Sequence, residues 1–247
     1  MKDELIKALG GHERIALQVS GGRDSLACFY LLKDAGLLDK VTVYWVNTGD
    51  AFPETLEIME LVQDMAPHFV EIAGNQPQVV AQFGMPTDIL PRSCTPIGLM
   101  CGQGDVRMQD SYSCCGRARM GPLHERMLAD GVTLIIRGQR EGDSHKAPVK
   151  SGDWELGIQY LFPVEQWSDE DVDGYLTKVG APRHPCYDFM TSAPDCMSCS
   201  GWWSEKRAPY LKACHPEAHD EYQRRLDLIR DNTALLIAQF NIECGGE

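Results

Sequence analysis

Ser20-Gly21-Gly22-Arg23-Asp24-Ser25 is a short polar interruption between two apolar runs, Ile15 to Val19 before it and Leu26 to Leu32 after it. That order reads as strand, loop, helix. Two consecutive glycines let backbone N–H groups approach an anion closely, and the following helix directs its positive end at the same place. Ser20 and Ser25 add hydroxyl donors and Arg23 a fixed positive charge, so the loop is suited to phosphate or sulfate. It is not a Walker A loop, because the Gly-x4-Gly-Lys-Ser/Thr spacing is absent. Nor is it a dinucleotide fingerprint, because the third glycine is missing.

Sulfur is the second source of chemistry. Cys114 and Cys115 are adjacent, and Cys196 and Cys199 form a Cys-x2-Cys pair far along the chain. Together they supply four thiolates, the number that closes a tetrahedral zinc site or holds a [4Fe-4S] cluster. Cys186 competes as a ligand, ten residues before Cys196. Cys28 follows the phosphate loop on an apolar helix and reads as core, while Cys94, Cys101 and Cys214 have no spacing that singles them out. Cys244 lies in the terminal Glu243-Cys244-Gly245-Gly246-Glu247, where a thiol on a flexible tail could reach a substrate and then a reductant.

A chain of 247 residues that is 43% hydrophobic and 24% charged has the composition of a soluble globular protein. Charges at Lys2, Asp3, Glu4 and Lys7 break any signal-peptide pattern, and no apolar run approaches a membrane span. The expected location is therefore the cytoplasm, with no membrane partner. In that reducing compartment ten cysteines point to metal, cluster or redox chemistry rather than disulfides. A formal charge of −13 disfavours a nucleic-acid partner, whose binding draws on Lys and Arg releasing counterions.

The elements that must hold these groups follow from periodicity. Val41 to Val46 reads as a second strand, and Pro53 to Ala66 as a helix with Pro53 and Glu54 in its first turn. Pro122 to Ala129 reads as a helix and Thr133 to Ile136 as another core strand. Ser168 caps a helix that runs through Val179, with Asp169, Glu170 and Asp171 favouring its dipole. Residues 74 to 113, rich in Pro, Gly, Gln and Met, read as an irregular segment or lid. The tail from Glu217 to Phe240 reads as a long amphipathic helix. The expected fold is α/β, an open and mainly parallel sheet flanked by helices with a helical C-terminal tail.

Ser20 to Ser25 resembles the PP-loop, Ser-Gly-Gly-Lys-Asp-Ser, of adenine-nucleotide enzymes that include ATP pyrophosphatases and the phosphoadenylyl-sulfate (PAPS) reductase family. Arg23 replaces the usual lysine. Thr48-Gly49-Asp50 and Phe52-Pro53-Glu54-Thr55 resemble the second signature of that reductase family, with Asn47 in place of aspartate. Cys114-Cys115-Gly116-Arg117-Ala118-Arg119-Met120-Gly121-Pro122-Leu123 resembles the Cys-Cys-x2-Arg-Lys-x2-Pro-Leu signature of adenylyl-sulfate (APS) reductases. The Ile135 to Glu141 stretch, with Arg137 and Arg140, and the Phe162 to Tyr175 segment resemble further landmarks in the same order. The resemblance runs from about residue 14 to 203.

It implies an adenine nucleotide alpha hydrolase-like domain over residues 1–203, with residues 204–247 as a helical extension carrying the tail cysteine. The nucleotide (APS, PAPS or ATP) would be held by Ser20, Gly21, Gly22, Arg23, Asp24, Ser25, Thr48, Gly49, Arg117, Arg119, Arg137 and Arg140. A [4Fe-4S] cluster would be held by Cys114, Cys115, Cys196 and Cys199. The tail resembles the Glu-Cys-Gly-x-His end of sulfonucleotide reductases, with Glu247 where histidine is usual. This implies that Cys244 attacks the substrate sulfur and that a thioredoxin-like reductant then frees sulfite. The loop's spelling also fits a different class, a PP-loop ATP pyrophosphatase-type iron–sulfur sulfurtransferase acting on nucleic acid or a small molecule. A nucleotide-binding redox sensor is the third expectation.

Overall fold

The computed structural model describes residues 2–143 and 146–245, and Glu247 lies outside them. The chain forms two compact units. The first comprises residues 1–47, 51–73 and 122–187; the second comprises 48–50, 74–121 and 188–247. Residues 204–247 therefore belong to the second unit.

The first unit opens with α1 (Lys2–Leu9), β1 (Ile15–Gln18), α2 (Arg23–Ala35), β2 (Thr42–Asn47), α3 (Pro53–Met65) and β3 (Phe69–Ala73). β1 pairs in parallel with β2, and β2 with β3. Alternation along these strands serves both faces of the sheet. Leu17, Val19, Val43 and Trp45 pack under α1, α2 and α3, while Ala16, Tyr44 and Val46 point to the opposite face. α2 is almost wholly buried from Leu26 to Leu32, which explains its uninterrupted apolar run.

In the second unit, residues 74–113, expected as an irregular segment or lid, contain short regular elements, and so does the stretch to 121 that follows them. These are α4 (Gln76–Phe83), β4 (Met85–Thr87), α5 (Pro96–Met100), β5 (Met108–Asp110) and α6 (Ser111–Cys115). Pro77 and Pro96 start their helices in the first turn, where the missing N–H costs nothing. Elements this short carry too little periodicity to register as a pattern. β4 and β5 form a parallel pair. A π-helical turn, Gly116–Met120, follows α6.

The chain then returns to the first unit with α7 (Gly121–Ala129), β6 (Leu134–Ile136), β7 (Trp154–Glu155), β8 (Ile158–Leu161) and α8 (Asp169–Val179). The sheet order is β3-β2-β1-β6-β8-β7, parallel except for the β7–β8 hairpin. Connections run to one side after β1 and to the other from β6, so the β1/β6 boundary is the topological switch point. Open α/β sheets bind ligands outside the carboxyl ends of strands at such a boundary. The loops after β1 and after β6 are the 20–25 and 137–140 segments. α8 starts as the sequence implies, with a capping box between Ser168 and Asp171.

The second unit ends with α9 (Ala208–Cys214) and α10 (Pro216–Glu243). Among the described residues, no helix is long and apolar enough to cross a membrane.

Candidate functional site

The phosphate loop is closed by its own serine. The Ser25 hydroxyl donates to the Gly22 carbonyl at 2.8 Å and accepts the Ser20 N–H at 3.2 Å, so it holds the turn's shape. The first helical amide, Arg23 N–H, donates to the phenol oxygen of Tyr187 at 2.9 Å. Gly138, just after β6, lies against the Asp24–Ser25 peptide. A Cβ there would sit 2.4 Å from the Asp24 carbonyl carbon and 2.5 Å from the Ser25 nitrogen, so only glycine fits.

The loop's charged side chains face one another. Arg23 pairs with Asp169 at 2.6 Å and Asp173 at 3.2 Å, and its guanidinium lies 5.0 Å from the Tyr187 ring centroid. Arg140 pairs with Asp169 at 2.6 Å and Asp24 at 3.0 Å. Burial pushes the Asp24 carboxyl up to about 6, against the pull of Arg140 and Arg23. Asp169 is held below the usual carboxylate range because hydrogen bonds from Arg23 and Arg140 outweigh the cost of its burial. Arg23 and Arg140, two of the arginines expected at the nucleotide, and the Ser25 hydroxyl with them, are thus engaged within the protein. Arg137 is half-buried at the end of β6, where its N–H donates to Leu161 O.

Sequence reasoning passed over the acidic partners. Asp169 is expected to favour the helix dipole, but Asp169 and Asp173 stand four apart and so share one face of α8. That spacing was the available signal. Nothing in the sequence singles out Tyr187. It sits in the turn Pro185–Asp188, where Cys186 N–H donates to His184 Nδ1 at 3.2 Å and His184 Nε2 lies 3.2 Å from Thr55 Oγ1. The first of these bonds leaves Nε2 as the protonated nitrogen.

In the second unit, Cys114, Cys115, Cys196 and Cys199 line one cavity of about 20 Å³ together with Arg119 and Asp195. Cys186 belongs to the first unit. Burial pushes the Cys114 thiol up to about 12, reinforced by Cys199 and Cys115. Burial likewise raises Cys115 against the pull of Arg119, and Cys199 against the pull of Arg207. Cys196 is pushed well above the usual thiol range by burial and Asp195. Four such thiols stay neutral unless a cation draws off their protons. Among the described residues, no group of three or more His, Cys, Asp or Glu converges on one ion. The four thiols share the lining of that one small cavity, and thiolate sulfur is a donor that both zinc and iron–sulfur clusters accept.

The segments carrying these cysteines are fastened by groups from elsewhere in the same unit. Asp88 accepts from the Ser111 hydroxyl at 2.5 Å and from the N–H groups of Trp202 and Trp203 at 2.8 Å. Arg207, only 1% exposed, donates to the carbonyls of Cys196 at 3.2 Å and Cys199 at 3.4 Å and pairs with Glu205 at 2.7 Å. Thr48 and Gly49, expected at the nucleotide, adjoin this cysteine turn. Thr48 Oγ1 donates to Asp195 O at 3.3 Å, and neighbouring Asp50 accepts the Ser198 N–H at 2.9 Å and its hydroxyl at 2.6 Å. Arg119 pairs with Asp195. Arg117 donates to Gln109 at 2.8 Å and lies 4.3 Å from the Phe83 ring centroid.

Cys244 is exposed and caps α10, its N–H donating to Phe240 O at 3.0 Å. α10 runs to Glu243, immediately before Cys244.

The pattern described as "Phosphoadenosine phosphosulfate reductase domain" matches residues 14–201. An adenosine 5'-phosphosulfate reductase of Burkholderia cepacia is 23% identical over 220 residues, covering 83% of this chain and 82% of that protein. One from Allochromatium vinosum is 21% identical over 208 residues, covering 74% and 75%. The crystal structure of phosphoadenylyl-sulfate reductase from Candida auris in a phosphate complex superposes with a TM-score of 0.56. At 17% identity it covers 78% of this chain and 87% of that one, a likeness of fold.

Proposed function

This chain belongs to the phosphoadenosine phosphosulfate reductase family, and we propose that it is an iron–sulfur sulfonucleotide reductase that converts adenylyl sulfate to sulfite and AMP. The observation that carries this reading is that Cys114, Cys115, Cys196 and Cys199, two pairs far apart in sequence, share the lining of one cavity. It supports the adenylyl-sulfate branch, whose cysteine signature the sequence resembles.

The nucleotide would sit at the β1/β6 switch point, where the loop glycines offer backbone N–H groups to the phosphosulfate and Arg137 adds charge. Thiolate from Cys244 attacks the substrate sulfur. A sulfur–sulfur bond forms as the sulfur–oxygen bond to phosphate breaks, and AMP leaves with that bond's electron pair. The enzyme then holds a Cys244 thiosulfonate. A thioredoxin-like dithiol attacks Cys244 Sγ, expels sulfite, and closes its own disulfide to regenerate the Cys244 thiol, so the two electrons come from the dithiol.

Cys114, Cys115, Cys196 and Cys199 would hold the cluster. When bound, it supplies iron–thiolate bonds that cross-link the 111–115 and 196–199 segments and a centre whose potential Arg119 and Arg207 tune. The protein residues meanwhile exclude water and fix the cysteine segments.

Replacing Cys244 by serine should abolish sulfite release while leaving iron content and AMP binding intact. Sulfite formation at the wild-type rate in that variant would remove the tail cysteine from the mechanism. The Ser-Gly-Gly-Arg-Asp-Ser spelling favours a second reading, an ATP pyrophosphatase-type iron–sulfur sulfurtransferase, whose signature is pyrophosphate from ATP.

A further inference from the structure

We propose that Tyr187 is a specificity-determining residue: its phenol oxygen occupies a donor of the phosphate loop, so that the loop accepts a single short oxyanion group and disfavours a triphosphate. The inference rests on the sulfonucleotide reading of the loop and adds to it a reason why ATP is refused.

A helix N-terminus binds phosphate through its first N–H groups. Here the Arg23 N–H already donates to Tyr187 at 2.9 Å. Gly138 lies close against the next peptide, Asp24–Ser25. The loop thus offers a ligand one N–H fewer at the helix start, a loss that weighs more on a chain of phosphates, which needs more donors, than on a single oxyanion group.

The phenol is held in place from several sides. Its ring lies 5.0 Å from the Arg23 guanidinium and 6.0 Å from that of Arg183. Its turn is anchored by His184, which is buried against Thr55 and edge-on to Phe52 at 6.1 Å. Burial also raises the Tyr187 phenol, keeping it neutral.

Charge acts in the same direction. Arg23 and Arg140 face four carboxylates, those of Asp24, Asp143, Asp169 and Asp173. A ligand with more negative charge than a phosphosulfate meets repulsion instead of free cations. Discrimination against an alternative ligand commonly uses such a repulsive element.

The test is anaerobic calorimetric titration of the full chain and of Tyr187→Phe with adenylyl sulfate, AMP and ATP. Phenylalanine keeps the ring over Arg23 and removes only the oxygen, so the affinity for ATP relative to adenylyl sulfate should rise about tenfold, the ratio that one hydrogen bond's worth of free energy gives. Asp173→Asn should move the ratio in the same direction, and it serves as the readout if the Phe variant does not fold. An unchanged ratio in a folded variant overturns the proposal. So does equal tightening for all three ligands, which would make the phenol a competitor for any oxyanion. A wild type that makes no sulfite removes the reductase reading, yet binding of AMP and ATP still reads the ratio.

Discussion

The phosphate loop and the cysteine cavity use charge in opposite ways. At the loop, Arg23 and Arg140 are matched against aspartates, and the backbone is left to meet a ligand. Around the cavity, Arg207 points at the carbonyls of Cys196 and Cys199, and Asp88 gathers N–H groups from the following turn. There the charged groups fix backbone so that side chains can act as ligands. A charged residue inside a binding motif is therefore not by itself evidence that its charge meets the ligand. Which partner lies within hydrogen-bond reach decides its role.

The largest effect that would sharpen this contrast is at Arg207. Arg207→Met removes the ion pair to Glu205 and the donors to two carbonyls, and should destabilise the protein by about 3–5 kcal/mol. Denaturant unfolding checks the stability, and iron per chain should fall with it. A loss below about 1 kcal/mol would mean the buried guanidinium is not what fastens the cysteine turn.

Gly138→Ala comes next. Its Cβ would press on the Asp24–Ser25 backbone at 2.4 Å, so helix α2 or the end of β6 must shift, at a cost of about 1–3 kcal/mol. AMP binding should weaken at least tenfold. Unchanged binding would separate the loop's geometry from the nucleotide site. Gly201→Ala is the counterpart at the cavity: the added Cβ lies 2.1 Å from Ser111 Oγ, a side-chain atom that can turn aside. It should cost about 1 kcal/mol or slightly more, with partial loss of iron, read by metal analysis.

The smallest effect is the pH dependence of Asp24. Its carboxyl is raised from 3.8 to about 6 in the folded protein, so between those values the folded state holds more protons than the unfolded state. Its contribution to stability is fully present below pH ~4 and is lost as pH rises through ~6. Asp24→Asn should flatten the wild-type decline in unfolding free energy over that window. Parallel curves for the two proteins would show that Asp24 titrates normally.

Much of the frame was legible because long elements carry their own signals. The buried run of α2, the Pro53 start of α3 and the Ser168 cap of α8 each follow from local chemistry. The four cysteines were legible as a set by count and resemblance, and the structure brings them to one cavity. What escaped were partnerships across long sequence distances. Arg23 with Asp169 and Tyr187, Asp88 with Trp202, and Thr48 with Asp195 are each joined by the fold, with nothing periodic to announce them. The short helices within residues 74–113 escape for the reverse reason: helices of five to eight residues are too short for periodicity to outweigh their Pro and Gly content.

Product analysis on anaerobically purified wild type, supplied separately with adenylyl sulfate, PAPS and ATP in the presence of a dithiol reductant, tests the central claim most directly. The account predicts sulfite and AMP in equal amounts from adenylyl sulfate, from protein whose visible absorption is lost on iron chelation. Pyrophosphate from ATP, with no sulfite from either sulfonucleotide, would contradict it.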